Sequence, residues 1–182
     1  MQTLIDSQTM QARLADLAQR ILADPAVQAR GVGELAIIGI RRRGEVLGAR
    51  LARLIEQSSG TPIDTGALDI TMYRDDLSGA RGITVPEGTD IPFALDDRVV
   101  VLVDDVLYTG RSVRAALDAL VDFGRPKVIR LVVLVDRGGR ELPISADYVG
   151  ISVPPSARNR IEVLLRPTDA QDVVTMIDAE AP

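Results

Sequence analysis

The order of apolar and periodic segments predicts an α/β fold with a mostly parallel central sheet flanked by helices. Three observations carry that expectation. The runs at 35–40, 99–104 and 128–135 are apolar on both faces, as strands inside a covered sheet are. Segments with helical spacing separate them, so strand and helix alternate. Polar, glycine-bearing turns lie at 41–44, 104–112 and 136–140, at the strand ends where ligands of such sheets bind.

Ser7 is the expected N-cap of a helix over 7–23, with Met10, Leu14, Leu17, Ile21 and Leu22 in one apolar stripe. Gly31-Val32-Gly33 reads as a loop before the strand at 35–40. Arg41-Arg42-Arg43-Gly44 leads to a second helix over 46–58, whose inner face carries Leu47, Ala49, Leu51, Leu54 and Ile55. Ser59-Gly60-Thr61-Pro62 closes it. The run 68–73 has the residue types of a strand. The stretch 74–90 holds three glycines and a proline without a period; so long a loop is expected to be a functional lid or disorder. After the strand at 99–104, a helix places Val113, Leu117, Leu120 and Val121 on one face and stops at Gly124 and Pro126. The strand at 128–135 runs into a turn at 136–141. Segments 148–153 and 161–165 read as short strands, and 173–177 as a strand or a helix. No repeat, low-complexity tract or linker is visible, so 1–182 is expected to form one domain.

Composition narrows the chemistry. A chain of 182 residues, 46% hydrophobic and 26% charged, buries a sizeable core. With aromatics at 3%, that core is Val, Leu, Ile and Ala. No apolar run is long enough to span a bilayer, and no basic segment followed by an apolar one opens the chain. A soluble, cytoplasmic protein without a membrane partner is therefore expected. Cysteine and histidine are both absent, which excludes disulfides, thiol catalysis and every role of imidazole. Chemistry must rest on Asp, Glu, Arg, Tyr, Ser, Thr, backbone groups and a bound ion. The net charge of −5 argues against a general nucleic-acid binder while leaving room for one basic face. Lys127 is the sole lysine, and guanidinium forks suit phosphate. Genome composition or thermal adaptation gives the same enrichment in arginine.

The most informative string runs from 99 to 113. Asp104 and Asp105 end its apolar strand. Successive strand side chains leave on opposite faces, so at most one carboxylate faces a ligand directly. The other anchors the loop or reaches a metal-bound water. The stretch Tyr108-Thr109-Gly110-Arg111-Ser112 then opens a helix, whose first N–H groups lack partners and sit at the positive end of its dipole. Thr109 and Ser112 add hydroxyls, and Gly110 lets the backbone approach an anion. An acid beside a phosphate cradle is what a ribose 5-phosphate requires. No lysine follows Gly110, so this is not a nucleoside-triphosphate P-loop, and no G-x-G-x-x-G follows an early strand. A phosphoacceptor receiver domain also carries paired acids after an apolar strand, but near its N-terminus.

This string resembles the phosphoribosyl diphosphate (PRPP) motif of type I phosphoribosyltransferases. Two further pieces extend the resemblance: Asp69-Ile70-Thr71-Met72-Tyr73-Arg74-Asp75-Asp76-Leu77 and Val135-Asp136-Arg137-Gly138-Gly139-Arg140-Glu141-Leu142-Pro143-Ile144. From the first helix to about Leu165 the chain resembles the bifunctional pyrimidine-operon regulators with uracil phosphoribosyltransferase activity. The resemblance implies the type I phosphoribosyltransferase fold, with a small hood formed by parts of 136–182. It implies the reaction of uracil with PRPP to give UMP and diphosphate, with Mg²⁺ as cofactor.

By the same resemblance, Asp104 and Asp105 hold the ribose hydroxyls, directly or through Mg²⁺ or its water. Val106, Leu107, Tyr108, Thr109, Gly110, Arg111 and Ser112 hold the 5-phosphate of PRPP or UMP. Arg42 and Arg43 bind diphosphate, and catalytic Arg74 closes over PRPP from the lid. Asp136, Arg137 and Ile161 build the uracil hood. Catalysis is then positioning and electrostatics around an oxocarbenium-like ribosyl group, which needs no histidine. The resemblance also implies UMP-dependent binding to pyrimidine-operon mRNA through Arg140, and a homodimer or homotetramer. The bland readings are a solvated basic turn at 41–44, Arg74 paired with Asp75 or Asp76, and Arg137 paired with Glu141.

The chain departs from the family pattern at several positions. Arg42 replaces a common threonine, Gly139 a frequent histidine, and Ser145 and Ile151 basic residues. The first helix, usually basic outside, offers Ala15, Asp16 and Gln19. Two other readings stay open: an RNA-binding transcriptional regulator with vestigial catalysis, and a phosphoribosyltransferase for a different base, such as a purine.

Overall fold

Strand β1 (Gln2–Ile5) leads into helix α1 (Ser7–Leu22) in the computed structural model, which describes residues 1–74, 88–156 and 159–178. The cap of α1 is Asp6 rather than Ser7, because the Asp6 carboxylate accepts the Thr9 N–H at 2.7 Å. Met10, Leu14, Leu17, Ala18 and Ile21 are buried along one face. A short helix α2 (Pro25–Arg30) follows, started by the Asp24 side chain and Pro25. Six residues are too few to show a period, which is why the pattern gave no sign of it. Strand β2 (Leu35–Ile40) is buried at every residue, as its apolar run predicts.

Helix α3 (Arg43–Ser59) begins before residue 46 and takes in Arg43 and Gly44. A Cβ on Gly39 would lie 2.4 Å from the Gly44 carbonyl oxygen, so strand and helix meet backbone to backbone. Strand β3 is Asp64–Leu68, not 68–73. Among the described residues it is an edge strand whose outer side meets only a bridge from Ala67 to Asp90, so it needs no apolar run. The apolar residues that suggested a strand instead form a 3₁₀ turn, Thr71–Tyr73. The Asp69 carboxylate accepts the Thr71 N–H at 2.9 Å and turns the chain there. Of the expected lid, residues 75–87 lie outside the described residues, Asp75 and Asp76 among them.

Strand β4 (Val99–Leu107) runs beyond residue 104 because its pairing with β5 (Val128–Asp136) continues to Leu107 opposite Asp136. The two acids therefore lie within the strand rather than at its end. Helix α4 (Arg111–Leu120) buries Val113, Ala115, Ala116, Ala119 and Leu120. Val121, expected on that face, is 69% exposed because the chain tightens into a 3₁₀ turn there. Strands β6 (Tyr148–Ser152), β7 (Asn159–Leu164) and β8 (Val173–Asp178) complete the described chain, and the C-terminal segment is a strand.

The five strands β3-β2-β4-β5-β6 form one parallel sheet, with apolar clusters on both faces under α1, α3 and α4. A separate antiparallel sheet has the order β1-β8-β7. One of its edge strands, β1, comes from the first residues of the chain, where only Ile5 is buried and no strand pattern exists to be read. Among the described residues no helix is long and apolar enough to cross a membrane.

Candidate active site

The carboxyl end of β4 opens into a cleft of about 390 Å³ lined by Arg74, Asp104, residues 106–113 and Glu141. All seven expected phosphate residues and Asp104 meet there. Strand alternation separates the acids as expected, for Asp105 is not part of the lining. Asp104 is 8% exposed, and its Oδ1 accepts the Asp105 N–H at 2.9 Å. The Asp105 Oδ1 accepts the Val106 N–H at 2.9 Å. Burial, and then the charge of Asp105, push the Asp104 carboxyl well above the usual range, against a smaller opposing pull from Arg74. Burial also raises Asp105, opposed by its hydrogen bonds with Asp104 and the Val106 N–H and by the Arg43 charge. Two acids so placed call for a cation or ribose hydroxyls to offset them.

The loop after β4 turns at Gly110, φ +94°, and passes into α4. The first amides of that helix have no carbonyl a turn earlier to bond, so the cleft carries donors for an anion. The Arg111 N–H reaches the Thr109 hydroxyl at 3.4 Å.

Segment 136–144 braces this loop from outside. The Arg137 N–H donates to the Leu107 carbonyl at 3.1 Å. The Glu141 and Leu142 N–H groups donate to the Thr109 carbonyl at 3.0 and 3.1 Å. Glu141 holds the Arg111 guanidinium at 2.8 Å. Arg140 donates to the Tyr108 carbonyl at 2.9 Å, the Ile144 carbonyl at 2.9 Å and the Asp136 carboxylate at 2.6 Å. Its donors thus bind the chain's own acceptors. Burial works to raise the Asp136 carboxyl, but Arg140 and the Gly138 N–H outweigh it and hold the group low.

The remaining expected residues lie outside the cleft lining. Arg43 forms a two-pronged pair with Asp169, both contacts at 3.3 Å. Arg42 lines an open groove of about 800 Å³ with Glu45, Arg50, Arg53 and Arg166. Ile161 is half-buried in β7 against the core. Arg137 does not pair with Glu141; its guanidinium binds the Ser156 carbonyl at 3.0 Å and the Asn159 carbonyl at 2.5 Å. Sequence reasoning missed three supporting acids. Glu141 lines the cleft, and Asp169 anchors Arg43. Asp69 accepts the N–H groups of Thr71 and Gly88, closing the base of the segment between them. The visible signal for Asp69 was a lone acid within an apolar run; Glu141 and Asp169 carried none of their own.

Carboxylate oxygens suit Mg²⁺, which keeps waters and takes one or two protein carboxylates together with substrate phosphates. Asp104 and Asp105 fit that pattern. Among the described residues no group of three or more potential ligands converges.

Residues 2–164 match the family described as phosphoribosyl transferase domain. The bifunctional protein PyrR of Pelotomaculum thermopropionicum is 46% identical over 175 residues, which cover 96% of this chain and 94% of that protein. The chain belongs to the PyrR family. PyrR of Clostridioides difficile is 54% identical over 147 residues, covering 81% of this chain and 83% of that one. PyrR of Bacillus subtilis is 45% identical over 179 residues, 97% of each chain. Members of the PyrR family are bifunctional: uracil phosphoribosyltransferases that convert PRPP and uracil to UMP, and attenuation regulators. Among solved structures, a Trypanosoma cruzi hypoxanthine phosphoribosyltransferase in complex with its product IMP has a TM-score of 0.74. It covers 98% of this chain and 95% of that one at 20% identity, which establishes the type I phosphoribosyltransferase fold.

Proposed function

We propose that this chain, as one phosphoribosyltransferase domain, transfers the ribosyl 5-phosphate of PRPP to uracil, forming UMP and diphosphate. The observation that carries the reading is the single cleft in which Asp104 faces the loop and helix start at 106–113. The bond from ribosyl C1 to diphosphate breaks, a bond from C1 to uracil N1 forms, and N1 loses its proton. The loop 106–112 fixes the 5-phosphate, and Asp104 and Asp105 orient the ribose and face its developing positive charge. Bound Mg²⁺ supplies neutralisation of the leaving diphosphate, and the same two carboxylates would hold it. Arg74 in the cleft, with Arg42 and Arg43 at the turn after β2, supplies further positive charge for the diphosphate. Asp136, Arg137 and Ile161 belong to the hood over the base, and the working form is a homodimer or homotetramer.

Protein, uracil, PRPP and Mg²⁺ mixed together should yield UMP, and Asp105→Asn should lower the rate by about 10²-fold or more. No UMP from the wild type sinks the proposal, and preference for a purine base in competition would reassign the substrate. The regulatory half is UMP-dependent binding to operon leader RNA. Gly139, Ser145 and Ile151 supply no charge there, and Arg140 is engaged internally. The salt dependence of binding should therefore be shallow. A gel shift with and without UMP at two salt concentrations tests it; no shift at low salt refutes that half.

A further inference from the structure

We infer that Arg137 is a positioning residue that couples the hood over the base to the loop that holds the phosphate. The inference rests on the reading that these two places take uracil and the 5-phosphate. Arg137 follows β5, and its N–H is bonded to Leu107, where the phosphate loop begins. Its side chain then reaches in two directions. One nitrogen, Nη2, donates to the carbonyls of Ser156 and Asn159 at 3.0 and 2.5 Å, at the entry to β7. The guanidinium carbon lies 4.0 Å from the centroid of the Tyr108 ring, within the phosphate loop.

Gly139 makes this arrangement possible. Its φ is +75°, and a Cβ there would lie 2.5 Å from Tyr108 Cε2, where the ring now rests. Tyr108 is 41% exposed, so the ring is held by the guanidinium and the glycine rather than by the core. A planar fork bonded to carbonyls at one edge and stacked on a ring across its face ties the position of each to the other. Displacing the Ser156 and Asn159 carbonyls therefore tilts the plane on which Tyr108 rests, and movement of the phosphate loop acts back on the hood by the same contacts. Arg137 thus acts through Tyr108 and the hood backbone, and does not itself read the base.

Uracil and inorganic phosphate, titrated singly and together onto the full chain, test the coupling. In the wild type each ligand should tighten the other by about fivefold or more, the lower end of ordinary coupling. Arg137→Met should bring that factor to about one while each ligand alone still binds, because the contact that links the two states is gone. Arg137→Lys keeps the charge without the planar fork and should recover only part of the coupling. Gly139→Ala displaces the Tyr108 ring and leaves the carbonyl contacts, so it should also lower the coupling, and it keeps the test sound if Arg137→Met folds poorly. In steady state, Arg137→Met should raise KM for uracil more than it lowers kcat. Wild-type ligands that bind without influencing each other overturn the inference, as does coupling that survives in both Arg137→Met and Gly139→Ala. A wild type that binds neither ligand overturns the reading of the site itself.

Discussion

Replacing Gly44 by alanine probes the contact that sets the first turn against the acid strand. An ideal Cβ at residue 44 would lie 2.3 Å from the Val103 carbonyl oxygen and 3.2 Å from the Asp104 Cα. Ordinary contact begins at 3.4 Å, so the start of α3 and the middle of β4 must part by about 1 Å. Both obstacles are backbone atoms in buried elements, and neither can rotate away. Overpacking of this kind costs about 1–3 kcal/mol. In a chain of 182 residues, each kcal/mol lowers Tm by about 2–4 °C. Arg42 and Arg43 ride on one side of the gap and Asp104 on the other, and a misplacement of about 1 Å can cost about 10²-fold in rate. Thermal melts and initial rates of UMP formation measure both effects. Gly33→Ala is the control, since its Cβ meets nothing within 4 Å. If Gly44→Ala melts and turns over like the wild type, or if Gly33→Ala loses as much, the close approach does not hold the site together.

Two further predictions concern buried acids. Burial and the Asp105 charge raise Asp104, so the folded ligand-free protein binds that proton more tightly than the unfolded chain. Its stability therefore falls as pH rises from the usual carboxylate range through the raised value. Asp104→Asn should raise the neutral-pH Tm of the ligand-free protein while lowering UMP formation; a lower Tm would contradict the assignment. Asp24 has the opposite sign. Burial works to raise its carboxyl, but hydrogen bonds from Arg130, Tyr148 and the Ala26 N–H outweigh it and hold the group low. The stability it contributes is present above the ordinary carboxylate pKa and is lost as pH falls through the lowered value. Its side chain is 3% exposed, and Asp24→Ala leaves the partly exposed Arg130 without that hydrogen-bonded partner, at a cost of about 1–3 kcal/mol. Urea melts of variant and wild type should differ by that amount at neutral pH and converge in acid; a gap independent of pH would rule out an ionic origin.

How legible each part was depends on how local its cause is. The strands at 35–40 and 128–135 stood out because burial on both faces demands an apolar run, unbroken at 35–40 and at 131–135 and interrupted only by Arg130 where the second strand is part-exposed. Strand β3 did not, because an edge strand carries no such demand, and the apolar residues after it were diverted into a turn by Asp69. Strand β1 and helix α2 were too short to carry a period.

By itself, then, the sequence determined the parallel α/β class and the placing of the acid pair beside a glycine-bearing loop and a helix start, because each arises from neighbours in the chain. A glycine, two hydroxyls and a helix start make an anion cradle wherever they occur together. Only the tertiary structure decided which side chains hold that cradle in place. Glu141 meets Arg111 from 30 residues away, Arg137 meets Asn159 across 22, and Asp169 meets Arg43 across 126. Such pairs follow from strand order and from where the second sheet sits. No local spacing encodes those distances, so the partners of Arg43, Arg137 and Arg140 within the fold could not be read from the residues beside them.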